Sequence, residues 1–597
     1  MENRQIDPLQ IIGMVLIFGI FTWMMYNQPV PDLETTATAT TAAVEQQDPV
    51  QTIATDTAKQ AAPAAAAVSV VADTLSLQND VLSIGISTKG GVMTQVALKE
   101  LVNYQDEPLY LIDNDNNSLN IAFTTVSGQL FQTKFMMFTP SVSNTSDGQE
   151  LRLRAPFDTD GYIELVYTLP KDGYRFGFEV VAEGIEGALD PSIPAAFSWR
   201  MDGFRHAKSA QYENRYTQLA YNHKSDKFST LSAAGDDDED LKNVGWVSYR
   251  QHFFSSILIP ENPFEVAAVT SSTITDEEEE ESEFLKAFTT ETTLPYSRNR
   301  FQANFDWYMG PTDYEVLKNY DESLYESISF GWGLIGWINR SVFYPLFSML
   351  SGVVPQGIAI ILLTIIVRLV LSPVLYKSYV SQAKMRVLRP EITALNEKYK
   401  NDATKRQQET MKLYSKAGAS PMAGCIPALI QMPVFFALFY FFPIAYEMRG
   451  KSFLWAKDLS SYDMIAELPF TIPFYGDHVS LFPLLASVAI FFYTQMTAGQ
   501  QMQPSQPGMP NMKYIMYLMP VMMLFFFNNY ASGFSLYYFV SNVLMIGIML
   551  VIKNVIIDQD KIHAQIEENK KKPKKQNRFQ RKMSELMEEA ERQKKLK

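Results

Sequence analysis

The sequence predicts a polytopic α-helical membrane protein with an N-terminal anchor helix, a large extracytoplasmic β-sandwich domain and five further spanning helices. Three observations carry this. The 597-residue chain is 47% hydrophobic and 19% charged, but its long apolar runs sit near the two ends. Between them lie about 250 residues of short alternating runs, the period of half-buried strands. Two basic stretches, Lys377–Ser420 and the segment after Lys561, orient the apolar runs. A chain of this length divides into more than one domain.

Residues 1–8 carry Glu2, Arg4 and Asp7 and read as a short cytoplasmic leader. Leu9–Tyr26 is an apolar run near the lower length for a span. It is long for a signal-peptide core and has no small-x-small site behind it, so it reads as an uncleaved anchor. Residues 27–72 are rich in Thr, Ala, Gln and Pro, as in Thr35–Ala42 and Ala61–Ala67. Such a composition buries no core and reads as a tether. It has no Lys or Arg before Lys59, which suits the outer side of the membrane. Residues 73–320 read as the β-sandwich. Val81–Thr88 precedes Lys89-Gly-Gly91 and a second run, and Tyr162–Leu169 and Tyr174–Val181 flank Pro170-Lys-Asp-Gly173. The acidic clusters Asp236–Asp240 and Asp276–Glu281 read as solvated loops rather than calcium sites. Asp113–Ser118 resembles the start of a calcium loop but lacks the glycine at its sixth position and the closing glutamate.

Residues 330–352 are apolar and aromatic, interrupted by Asn339-Arg340. They either span or lie along the interface as an amphipathic helix. Five apolar segments follow, about 354–376, 425–445, 479–498, 514–531 and 534–557. The stretch 377–420 holds ten Lys/Arg against four Asp/Glu, and the tail 558–597 is also basic. Both therefore belong on the cytoplasmic side. Five spans after the sandwich satisfy this. A sixth at 330–352 would turn the basic stretch outward, so the interfacial reading is preferred. Within 377–420, Leu388, Ile392, Leu395 and Tyr399 fall at helical spacing before a break at Lys400–Thr404. This is the pattern of a helical hairpin, either a solvated face or a basic docking surface for RNA or protein.

Arg368 stands inside the apolar run Ile361–Leu371, and no Asp or Glu occurs in the other apolar segments. A charge at that depth costs about 2.5–3.5 kcal/mol on insertion scales, so it reaches water or backbone, or faces a wet cavity. Thr364 lies one turn earlier on the same helix face. Gln431, Gln495, Asn528, Asn529, Ser541 and Asn542 are the other polar residues of the spans. Each serves interhelical hydrogen bonding, or lines a hydrated groove with the arginine. Gln495–Met512, rich in Gln, Met and Pro, reads as an adaptable apolar surface or a linker. Catalytic signatures are missing. Ser381-Gln-Ala-Lys384 has the S-x-x-K spacing without its companion motifs. The five histidines form no metal-ligand pattern, Cys425 is the single cysteine, and no cofactor is expected.

Val367–Pro373, Ala383-Lys-Met-Arg386, Cys425–Phe435 and Ser532–Asn542 together resemble the YidC/Oxa/Alb membrane protein insertases over about 326–557. The first span, outer domain and Gly245–Phe254 resemble the Gram-negative layout of that family. The resemblance implies a five-helix insertase core within 354–557, a cytoplasmic hairpin, a β-supersandwich outside, and a hydrophilic groove. It implies groove or client-contacting roles for Arg368, Thr364, Tyr538, Cys425, Ile426, Pro427, Met432, Pro433 and Phe435, with Gln431 beside them. It further implies an inner-membrane, non-enzymatic protein that handles nascent membrane proteins, alone or with the Sec translocon. Ribosomes would be met through the tail and hairpin, and lipid would receive the product. A small-anion transporter using Arg368 is the rival reading, although no inverted repeat of interrupted spans supports it.

Overall fold

The computed structural model describes residues 73–571 except 158–160, 185–187, 191, 224–226, 275–281, 297–299, 321–322, 401, 420–425, 474, 502–511 and 557. The expected leader, anchor and tether (1–72), the cluster Asp276–Glu281, Cys425 and the tail beyond 571 lie outside the described residues. The rest forms two compact units that divide between Ser329 and Phe330.

The first unit is built of β-sandwich sheets. One sheet has four antiparallel strands, Thr74–Gln78, Leu82–Ser87, Met93–Val102 and Pro108–Ile112, neighbours in chain order. The other has fourteen. Strand Gly148–Phe157 shows why these residues pair: from Leu151 on, burial alternates residue by residue, placing Leu151, Leu153, Ala155 and Phe157 inside. The turn at Lys89-Gly-Gly91 needs its glycines. Gly91 has φ +63°, and a Cβ there would lie 2.3 Å from Leu165 Cδ1. Its carbonyl accepts from the Tyr167 hydroxyl at 2.7 Å, tying the two sheets together. Trp199 anchors the core, stacked on Tyr249 at 3.7 Å and edge-on to Trp307 at 4.5 Å. One expectation is corrected here. Asp237–Asp240 is not a loop but opens strand Asp237–Gln251, in register with Ala268–Ser271. The strand's backbone satisfies its ladder while the acidic side chains stay largely in water. The calcium-like segment is a turn, with Asn114 and Asp115 at positive φ, and Asn116 Nδ2 donates to Leu111 O and Asp202 O.

The second unit is helical: α1 (Gly333–Ile338), α2 (Tyr344–Ser351), α3 (Gln356–Val387), α4 (Arg389–Lys398), α5 (Ala403–Ala417), α6 (Ile426–Ile444), α7 (Leu481–Gln501), α8 (Met512–Phe527), α9 (Ser532–Val551) and α10 (Gln559–Lys571). A π-helical segment, Asn339–Phe343, joins α1 to α2. Among the described residues, Gln356–Val387 and Ser532–Asn554 are long and apolar enough to cross a membrane. Leu429–Ile444, Leu481–Thr497 and Met516–Phe527 are shorter apolar helices. The polar interruption of the 330–352 segment is split between its two faces. Asn339 lies on the packed face, donating to Phe330 O at 2.7 Å, while the exposed face carries Trp332, Leu334, Trp337, Arg340 and Met349. The interruption seen in sequence is thus half buried polar group, half exposed cation. A two-stranded hairpin, Met464–Ile472 with Gly476–Ser480, precedes α7 and was not anticipated. Burial recurs there only every fourth residue, at Met464, Leu468 and Ile472, and central Pro469 weakens the strand signal further.

Candidate functional site around Arg368

Helix α3 is 32 residues long, about 48 Å at 1.5 Å per residue, against a hydrocarbon core of about 30 Å. Its buried residues Ile360, Leu363, Thr364, Arg368, Leu375 and Tyr379 recur every three or four positions or multiples of them. That spacing puts Arg368 on the packed face, while Leu369 and Val370 lie outward. Pro373 removes the N–H that would bond Leu369 O, and the Ser372 hydroxyl donates to that carbonyl instead at 2.8 Å. The helix therefore continues past its proline into the basic hairpin.

Arg368 is 7% exposed. Its Nε donates to Ser541 Oγ at 2.8 Å, Nη2 donates to the same oxygen, and Nη1 donates to Gln431 Oε1 at 2.6 Å. The arginine thus joins α3, α6 and α9, and both of these partners are neutral. Side chains of two other helices hold it. The hydroxyls of Tyr379, Tyr493 and Tyr538 lie within its electrostatic range. Thr364 is fully buried, and its hydroxyl donates to Ile360 O of its own helix at 2.7 Å.

Toward the start of α3 and α9 the site is walled by rings. Phe435 meets Tyr538 at 5.8 Å and Phe534 at 5.9 Å, and Phe439 stacks on Tyr530 at 5.1 Å. Tyr530 also donates to Phe439 O at 3.1 Å, the carbonyl that Pro443 leaves without its helical donor. Beyond these rings the loop after α6 is stapled to α9: Gly533 N donates to Leu459 O at 2.9 Å and Ser532 N to Ser461 O at 2.7 Å. Two carboxylates organise that loop. Asp458 accepts from Gly450 N and Ser460 N, and Asp463 accepts from Trp455 Nε1 and Phe482 N. Burial pushes both carboxyls above their usual range. Toward the other end, Leu375, Tyr379, Met545, Met549 and Ile552 form an apolar cluster with Tyr493 and Met496 against it.

The structure thus brings Arg368, Gln431, Phe435 and Tyr538 together, with Thr364 one turn away on the same helix. Met432, half exposed, is turned outward and Pro433 is partly buried. Ile426 and Pro427 open α6. Ser541, the acceptor of two guanidinium donors, is one of the polar span residues that the sequence offered for interhelical bonding or groove lining; its spacing of three from Tyr538 puts both on one face of α9. Tyr379, by contrast, was missed, three turns beyond Arg368 on the same face. Among the described residues no group of three His, Cys, Asp or Glu could hold a metal. A cavity of about 640 Å³ in the β unit carries charged groups already paired, Arg175 with Asp306 and Glu261 with Asn304.

Residues 74–345 match the YidC periplasmic domain, and residues 347–561 match the 60Kd inner membrane protein. The membrane protein insertase YidC of Parabacteroides distasonis is 38% identical over 536 residues, covering 86% of this chain and 82% of that one. This chain belongs to the YidC membrane protein insertase family. The YidC insertase of Azobacteroides pseudotrichonymphae is 34% identical over 616 residues, 97% of this chain and 99% of that one. The Porphyromonas gingivalis relative is 33% identical over 630 residues, with 99% and 98% covered. These relatives are named as insertases, not as enzymes. Among solved structures, a putative aldose 1-epimerase from Escherichia coli K12 covers 40% of this chain and 99% of that one, at 9% identity and a TM-score of 0.27. A likeness at that level carries no functional argument.

Proposed function

We propose that this chain inserts membrane proteins into the bacterial inner membrane, and helps fold and assemble them, by offering Arg368 to the polar or acidic flank of an arriving hydrophobic segment. The carrying observation is a buried guanidinium whose bonds go to Ser541 and Gln431, neither of which cancels its charge. An acidic flank gains a charge partner there, and charge-assisted hydrogen bonds are about twice as strong as neutral ones. The apolar part of the client then passes along Phe435, Tyr538 and the outward Met432 into lipid. No nucleotide is needed for that exchange, because lipid burial of the client drives it.

The same reading places both chain termini in the cytoplasm, residues 9–26 and five helices across the membrane, and 73–320 in the periplasm. Residues 330–352 rest at the interface, where exposed Trp332 and Trp337 suit the headgroup layer. The basic hairpin and tail bring ribosomes close, and the Sec translocon is a partner for some clients. A photo-crosslinker at position 368 or 435, activated during translation, tests this. Crosslinks to nascent membrane proteins are expected. Their absence in an active, stably expressed protein would favour the small-anion transporter instead.

A further inference from the structure

We propose that Ser541 is a positioning residue that presents Arg368 to anionic client flanks, and that its neutrality sets the preference of the site for them. The proposal rests on the insertase reading above. A guanidinium carries five N–H donors in a rigid fork. Ser541 Oγ takes the Nε–Nη2 edge and Gln431 Oε1 takes Nη1, so three donors are engaged and each terminal nitrogen retains one. Ser541 is 1% exposed, whereas Gln431 is only partly buried. The serine is therefore the fixed support and the glutamine the exchangeable one.

Neutral acceptors matter at this place. A carboxylate at 541 would form a buried ion pair with Arg368, and an arriving client carboxylate would meet a like charge. An apolar residue there would leave the Nε–Nη2 edge without an acceptor and free the side chain to turn. A hydroxyl does neither: it orients the fork and leaves the full positive charge to the client.

The test uses the full-length protein in proteoliposomes and two single-span clients that differ only by Asp or Asn in the translocated flank. The readout is the ratio of Asp-client to Asn-client insertion, which a loss of fold alone does not move. Ser541→Asp is expected to lower this ratio about tenfold, the loss of one charge-assisted contact, while Ser541→Asn leaves the ratio unchanged. Ser541→Ala should lower it about threefold as a lost support, with Ser541→Thr restoring it. If Ser541→Asp does not accumulate, the Ala and Thr pair decides. An unchanged ratio in Ser541→Ala, or in an accumulated Ser541→Asp, overturns the proposal provided that Arg368→Ala still lowers it. An unchanged ratio in Arg368→Ala sinks the insertase reading of the arginine itself.

Discussion

Arg368 combines two properties that substitution separates: its charge, and the fork that reaches Ser541 and Gln431. Lysine keeps the first and loses the second. With a client carrying acidic residues near its translocated end, Arg368→Lys is expected to stay within about threefold of the parent, and Arg368→Ala and Arg368→Glu to fall about tenfold at equal abundance. Protease protection of the client measures this. Full activity of Arg368→Glu would rule out a charge mechanism, and a lysine variant as poor as alanine would mark a purely structural arginine. A second buried cation sits in the β unit. Lys286 is fully buried with Nζ donating to Ala233 O at 2.6 Å, and burial, reinforced by Arg250, lowers its pKa to about 8. Between about pH 8 and 10.5 the unfolded chain holds this proton more tightly, so stability rises with pH there; below pH 8 the full cost of the buried charge applies. Lys286→Met is therefore expected to unfold at higher urea at pH 7, by on the order of 1–3 kcal/mol, with the gap closing toward pH 10. A pH-independent gap, followed by tryptophan fluorescence, would contradict this origin.

Between elements, the described start of the basic tail is bound rather than free. Helix α10 places Ile562 and Ile566 into a cluster with Leu388, Tyr414, Ala417 and Ala419 at the base of the hairpin. Asn569 Nδ2 donates to Ala417 O at 3.3 Å, and Lys570 pairs with Glu391 at 2.9 Å. Magnitudes rank these contacts. An exposed ion pair contributes about 0–1 kcal/mol, whereas truncating a buried isoleucine costs about 2–5 kcal/mol. Ile566→Asp should release the hairpin and raise trypsin cleavage within 389–416 at least about fivefold, while Lys570→Ala should leave it near the parent rate. Equal cleavage in both variants would mean that α10 does not hold the hairpin.

For the whole chain, the two units divide next to Ser329. The client path proposed here lies entirely in the helical unit, so the β unit should be dispensable for insertion. The strand order sets where to cut. Phe301–Pro311 lies between Phe254–Pro260 and Arg175–Glu183, so a deletion ending at 300 would leave an apolar strand without neighbours. Removal of 73–329, with residues 1–72 kept, is expected to support growth when the native copy is depleted. Failure to grow with the helical unit stably present would assign the β unit a part in insertion.

Sequence alone determined whatever depends on neighbours along the chain. The strands around Pro170–Gly173, the helical hairpin broken near Lys400–Thr404, the apolar helices and the arginine standing in one of them were all legible from period, turn residues and charge. One expectation failed where local signals compete: Asp237–Asp240 joined a strand because its backbone found a partner. The sequence left open which way Asn339 faces, and Phe330 O drew it inward. Only the tertiary structure decided what holds Arg368. Ser541 and Gln431 are 173 and 63 residues away, and the register of three packed helices brings them within hydrogen-bonding distance. The same holds for Tyr530 bonding Phe439 O across 91 residues, and for the burial of Asp463 beneath Trp455 and the start of α7. Such bonds depend on how helices rotate and slide against each other, and residues far apart in the chain do not record that as a local pattern.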